Sequence, residues 1–212
     1  MKAITIKYLF NSYLVDRFSD YQLKGSVLYQ VTEGIILKGY SFDSSGFDKN
    51  AIYVQGFVHP LYVPFETISY TFGNRIFSNT LEKSNELEFS LGLKTKMLKF
   101  RSSTLDDVNS FSDFMKRYKG DIDLRQVYSH EILAYGYILN DNIFKATIAL
   151  RLGKKYVSRE AQNEPEKYWF KEALERLIKV ELLLRQDKML AVEQILKYRD
   201  YSLSQLKLDP VR

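Results

Sequence analysis

The chain has 212 residues, 45% hydrophobic and 27% charged, with no cysteine and a formal net charge of +5. That is enough apolar material for a real core and for one large domain or two small ones, so disorder is excluded on composition. The lack of cysteine excludes a disulfide scaffold, thiol catalysis and thiolate metal sites, and it fits a reducing, cytoplasmic compartment.

The charge excess is spread as +2 over residues 1–100 and +3 over the remainder, without the basic concentration that marks many nucleic-acid binders. The first residues, MKAITIKYLFNSYLVDRF, carry an apolar patch interrupted by Lys7, Asn11, Asp16 and Arg17 and lack a small-residue cleavage pattern, so no signal peptide is expected. No window approaches the roughly 18 uninterrupted apolar residues of a membrane span.

Residues 3–18 follow helical spacing through Ile6, Leu9, Phe10, Tyr13, Leu14 and Phe18, with a strand over Ile4–Phe10 as the competing reading. From Val27 to Arg101 the pattern predicts strands. Gly34–Asp43 is one, residues 43–50 (DSSGFDKN) form a turn, and Ala51–His59 is apolar at both parities, as in a central strand covered on two faces. Pro60 and Pro64 lack amide donors and mark an edge, bend or crossover. Ile68–Ile76 is the next strand, with Gly73 as a bulge. Leu87, Phe89, Leu91 and Leu93 then alternate with Glu86, Glu88 and Ser90, which predicts a half-exposed strand paired as a hairpin with Lys94–Arg101.

Helices follow. Thr104 is placed as a cap with Asp106 and Asp107 in the first turn, Val108, Phe111, Phe114 and Met115 form the apolar face, and Gly120 ends it. Further helices are expected near 124–139, 142–157, 165–186 and 188–207, the first two antiparallel across Asn140–Asn142. Pro165 suits a first helical position. Phe170, Leu174, Leu177, Ile178 and Leu182 make the buried stripe of the third, and Glu172–Arg176, Glu175–Lys179 and Glu181–Arg185 support its exposed face. The polar run Lys154–Lys167 reads as a flexible loop.

Two resemblances attach to these segments. Pro60-Leu61-Tyr62-Val63-Pro64 followed by Phe72-Gly73 and Arg75, within residues 34–77, resembles a PLYVP…FGxR pattern of bacterial domains of unknown function, which implies a small α+β domain with no assigned activity. Residues 127–157, through Leu133, Ala134, Tyr137, Ala146, Leu150 and Gly153, are similar to a single tetratricopeptide repeat, and this implies a tightly packed helical hairpin. A second copy at the repeat's spacing is absent, so an array is not expected.

Candidate sites are few. His59, Tyr62, Glu66 and Arg75 are general acid–base types at strand ends joined by a proline turn, suited to a phosphodiester or acyl substrate if they converge. The simpler reading is structural, with Arg75 on a carboxylate and Tyr62 packed at a junction. The only other histidine, His130, reads as a helix-face residue. Lys94, Lys96, Lys99 and Arg101 form a basic strand edge, which suits phosphates or, more simply, protects an edge against aggregation. Neither G-x-G-x-x-G, G-x-x-x-x-G-K-[ST] nor G-x-S-x-G occurs, and no metal site or cofactor is expected.

The chain therefore reads as a cytoplasmic bacterial α+β protein, with an aromatic-rich mixed or antiparallel sheet over residues 1–101 and helical hairpins over 104–212. Its expected function is a non-catalytic protein–protein interaction module with a protein partner and no membrane, in concrete form a toxin-neutralising immunity-type protein. The alternatives are a hydrolase or nuclease using His59, Glu66 and Arg75, and a nucleic-acid binder using the basic strand and the Lys154–Arg159 loop.

Overall fold

The computed structural model describes residues 3–44, 50–82 and 84–208. The fold is α+β, and the chain divides into two units: one of residues 1–59, 68–117 and 211–212, the other of residues 60–67 and 118–210.

The first unit is built on a five-stranded antiparallel sheet whose strands neighbour one another in chain order, β1 (Gln22–Lys24), β2 (Val27–Thr32), β3 (Ile36–Ser44), β4 (Ala51–Pro60) and β5 (Phe72–Thr80). The expected turn at 43–50 falls mostly outside the described residues. β4 lies between β3 and β5, as its two-sided apolar pattern predicts. Gly73 is paired in register with Phe57, and a Cβ there would sit 2.4 Å from the Gly56 carbonyl oxygen. The bulge lies further along, at Ile76, between the Val54–Phe77 and Gln55–Arg75 pairs.

Helix α1 (Ala3–Leu9) runs into a π-helical turn, Phe10–Leu14, in place of the competing strand. It buries Ile6, Leu9 and Leu14. The predicted strand at 86–93 and its hairpin partner are both wrong. Glu86–Phe100 is one helix, α2, ending in a second π-turn, Arg101–Leu105. Its buried residues Phe89, Leu93, Met97 and Phe100 recur every three or four positions, whereas Leu87 and Leu91, assigned to the same buried face as Phe89, are 63% and 54% exposed. Alternation over eight residues fits either period. The surrounding Glu, Leu, Lys and Met are helix formers, and two glutamates in the first turn and Lys99 in the last suit the helix dipole.

α2 meets β3, β4 and β5. The Tyr40 hydroxyl donates to the Met97 carbonyl at 2.8 Å, the Phe100 ring fills the space above Gly56, and Phe89 packs edge-to-face on Phe77 at 5.1 Å. Helix α3 (Phe111–Tyr118) starts later than Thr104, which belongs to the π-turn. Ser110 caps it: its hydroxyl accepts the Asp113 amide at 3.1 Å and donates to the Asp113 carboxylate at 2.8 Å.

The second unit contains α4 (Val127–Leu139), α5 (Ile143–Asn163), α6 (Tyr168–Gln186) and α7 (Lys188–Gln205). α4 is buried nearly all round and touches the other three helices. The α4–α5 turn comes where the asparagines and aspartate predict it. Asp141 has φ 58°, and the Asn142 side chain accepts the Lys145 amide at 3.1 Å. Residues 154–163, expected as loop, continue α5. Pro165 sits in the turn before α6 rather than at its first position. The chain segment 60–67 packs in this unit, where the Ser202 hydroxyl donates to the Val63 carbonyl at 2.9 Å and accepts the Phe65 amide at 3.1 Å, and Phe65 lies on Tyr128 at 4.8 Å.

Candidate protein-interaction face

The residues read as an acid–base set are divided between the two units. His59 and Arg75 belong to the first unit, Tyr62 and Glu66 to the second. Arg75 pairs in register with Gln55, so His59, four residues further along β4, is about 13 Å away along the strand. His59 is fully buried, its Nδ1 accepting the Ser69 amide at 3.2 Å. Burial pushes its pKa down to about 3, with the Ser69 hydrogen bond opposing, so the ring is neutral across the physiological range. Arg75 is exposed and stacks on Tyr53 at 4.7 Å. Glu66 accepts the Tyr201 hydroxyl at 3.3 Å. Tyr62 is fully buried, which raises its pKa strongly.

The basic strand edge is also redistributed, because Lys94, Lys96 and Lys99 lie on α2 and Arg101 opens the π-turn. Lys94 binds the Asp16 carboxylate at 3.0 Å. Arg101 grips Asp20 through two hydrogen bonds of 2.8 and 3.0 Å, reaches Asp106 at 3.1 Å, and lies over the Phe18 and Tyr21 rings. Burial opposes the Arg101 charge, but these carboxylates outweigh it and raise the pKa. A shallow cleft of about 610 Å³ lies here, lined by Asp16, Asp20, Lys99, Arg101, Ser102 and Asp106. Arg17 lines it too, so three carboxylates face three cations, and with Lys94 and Arg101 engaged by Asp16, Asp20 and Asp106 the arrangement suits structure more than nucleic-acid contact. Among the described residues no cluster of His, Asp or Glu has the geometry to hold a metal ion.

The second unit carries a different kind of surface. α5 packs Ala146, Ala149, Leu150, Gly153 and Val157 inward. A Cβ on Gly153 would come within 2.8 Å of the His130 Cβ, so glycine here permits the close approach of α5 to α4. Three large apolar side chains face out. Phe144, Ile148 and Leu152, at four-residue spacing, are 77%, 36% and 49% exposed and form a row along the helix. Arg151, Lys155 and Arg159 recur at the same spacing and interleave with it on the same exposed face. At the same end, the Lys188–Asp141 ion pair at 2.9 Å brings the start of α7 to the α4–α5 turn, and Met189 there is 56% exposed. On α6 the buried stripe is Phe170, Ala173, Leu177 and Val180, whereas Ile178 and Leu182, expected inside, are 40% and 52% exposed.

A buried polar network joins α4, α6 and α7 behind this surface. Glu131 on α4 is completely enclosed and takes two hydrogen bonds from Arg176 on α6, at 2.8 and 2.9 Å, and one from the Tyr135 hydroxyl at 3.1 Å. Tyr135 in turn stacks on Tyr198 of α7 at 5.8 Å. Burial works against the Arg176 charge, but the Glu131 hydrogen bonds and charge prevail and raise its pKa. Lys154 on α5 pairs with Glu181 on α6. His130 donates from Nε2 to the Leu124 carbonyl at 3.0 Å and packs on Tyr156 at 5.0 Å. Burial lowers its pKa.

From the sequence, Phe144, Ile148 and Leu152 are assigned to no face of α5, and on α6 Ile178 and Leu182 are placed in the buried stripe. The available signal was the pairing of two rows, 144–148–152 and 151–155–159, on a helix whose opposite side holds Ala146, Ala149, Leu150, Gly153 and Val157. Comparison with protein-family models, with curated proteins and with solved structures finds no match to this chain.

Proposed function

We propose that the protein is a non-catalytic protein–protein interaction module. The observation that carries this reading is the row of exposed Phe144, Ile148 and Leu152 on α5, a helix fixed to its neighbours by small-residue packing and the Lys154–Glu181 pair. Exposed apolar side chains in a row on a rigid element are what a protein interface buries on association. The residues suited to chemistry support the same reading, since His59 and Tyr62 are enclosed and Arg75 stands about 13 Å along the strand from His59. The concrete form we propose is a toxin-neutralising, immunity-type protein of the bacterial cytoplasm. No described helix is long and apolar enough to cross a membrane.

Affinity purification of the tagged chain from its own cells tests the reading. The expected result is a stoichiometric protein partner that survives nuclease treatment, is lost in Ile148→Asp and is kept in Arg75→Ala. Recovery of nucleic acid alone, or of no partner, overturns it.

A further inference from the structure

We infer that the α5 face receives an acidic amphipathic helix of the partner, laid along the apolar row with its carboxylates against Arg151 and Lys155. The inference rests on the interaction reading above and names what that surface recognises. α5 carries five basic residues, Lys145, Arg151, Lys154, Lys155 and Arg159, against one acid, Glu160. Lys154 is taken up by Glu181 and Arg159 by Glu160, which leaves Arg151 and Lys155 exposed next to the row of Phe144, Ile148 and Leu152. The paired rows run from residue 144 to 159, about 22 Å of helix, or four turns. The matching surface is a helix of similar length whose exposed face interleaves apolar and acidic residues, as helix-in-groove partners present.

Charge and hydrophobicity together decide among occupants. A second copy of this chain would set one basic row against another, an arrangement that like charges oppose. Nucleic acid would satisfy Arg151 and Lys155 but leave Ile148 and Leu152 with nothing to bury. A bilayer would draw in Lys155 with the apolar row, because on a helical projection it falls between Phe144 and Ile148 rather than at the margin.

The test replaces Ile148 with the photo-crosslinker benzoylphenylalanine in the full-length chain, and in a parallel chain replaces Leu91, which is 54% exposed on α2 of the first unit. Both are irradiated in the protein's own cells and the adducts are sequenced by mass spectrometry. The expected adduct at position 148 is a peptide of net negative charge with apolar residues at three- and four-residue spacing. Its yield is expected to fall at least about tenfold when Arg151→Glu and Lys155→Glu are added, as loss of two charge pairs at an interface implies. Because both side chains are exposed, the melting midpoint of that variant stays within a few degrees of the parent. If it does not, Arg151→Gln with Lys155→Gln gives the same reading. A neutral or basic peptide, a peptide of this chain, a nucleotide or a lipid at position 148 overturns the inference, as does a yield indifferent to the charge changes. Protein captured at position 91 but not at 148 overturns the inference and leaves the interaction module standing. Protein captured at neither overturns both.

Discussion

At the scale of single residues, the enclosed charge and histidines give the sharpest tests of the packing. Glu131 has no exposed side-chain surface and depends on Arg176 for its charge compensation. Arg176→Met strands that carboxylate and is expected to cost about 3–5 kcal/mol in urea unfolding. The double variant Glu131→Gln with Arg176→Met is expected to be more stable than Arg176→Met alone, because no ion is left buried without its partner. His59 behaves as a buried base. Its folded pKa of about 3 lies below the ordinary 6.5, so between these values the unfolded chain holds a proton that the native chain does not. Stability is therefore full above about pH 6.5 and falls as the pH drops toward 3, by about 1.4 kcal/mol per unit for this one proton. His130, with its pKa lowered by burial, adds in the same direction. His59→Gln is expected to flatten this acid limb, as read by urea midpoints measured at a series of pH values. A limb of unchanged slope would refute that assignment.

At the scale of elements, α2 is the sharpest departure from the sequence reading and the most directly testable. A strand with Leu87, Phe89, Leu91 and Leu93 on one face makes all four equally sensitive. The helix separates them, with Leu93 at 1% exposure and Leu91 at 54%. Leu91→Glu is expected to change stability by no more than about 0.5 kcal/mol, and Leu93→Ala to cost about 2–5 kcal/mol. Thermal unfolding of the two variants separates the readings. Eight residues of alternating polarity did not fix the period, and the continuation of the apolar positions to Met97 and Phe100 did. The helical hairpin of α4 and α5 was legible because its turn residues are specialised: an aspartate at φ 58° and a capping asparagine appear as an Asn-Asp-Asn cluster. The start of α3 was misread because Thr104 and Ser110 are both good caps, and only packing shows that the first is taken up by the end of α2.

At the scale of the molecule, chain order and spatial grouping diverge. Residues 60–67, between two strands of the sheet, belong with the helices. Their backbone is tied to Ser202, which is fully buried, and Phe65 is laid on Tyr128. A fragment of residues 118–212 lacks this segment. It is expected to unfold at a lower temperature and less cooperatively than the same helices in the full chain, measured by circular dichroism at 222 nm. An identical, equally sharp transition would show that the segment contributes nothing. The apolar row of α5 likewise has meaning only at this scale, since its exposure follows from α4 and α6 packing against the small-residue side.

By itself the sequence determined the α+β class, strands near β3, β4 and β5 with β4 covered on both faces, the four long helices and the turn between α4 and α5. These follow from periodicity, proline and turn chemistry, which act within a few residues. Tertiary structure decided the rest: that α2 is helix, that Lys94 and Arg101 answer Asp16 and Asp20, that His59 is enclosed, and that α5 turns Ala and Gly inward and Phe144, Ile148 and Leu152 outward. Which side of a helix is covered depends on the shape of what packs against it, and the close approach that Gly153 allows is a property of two helices together.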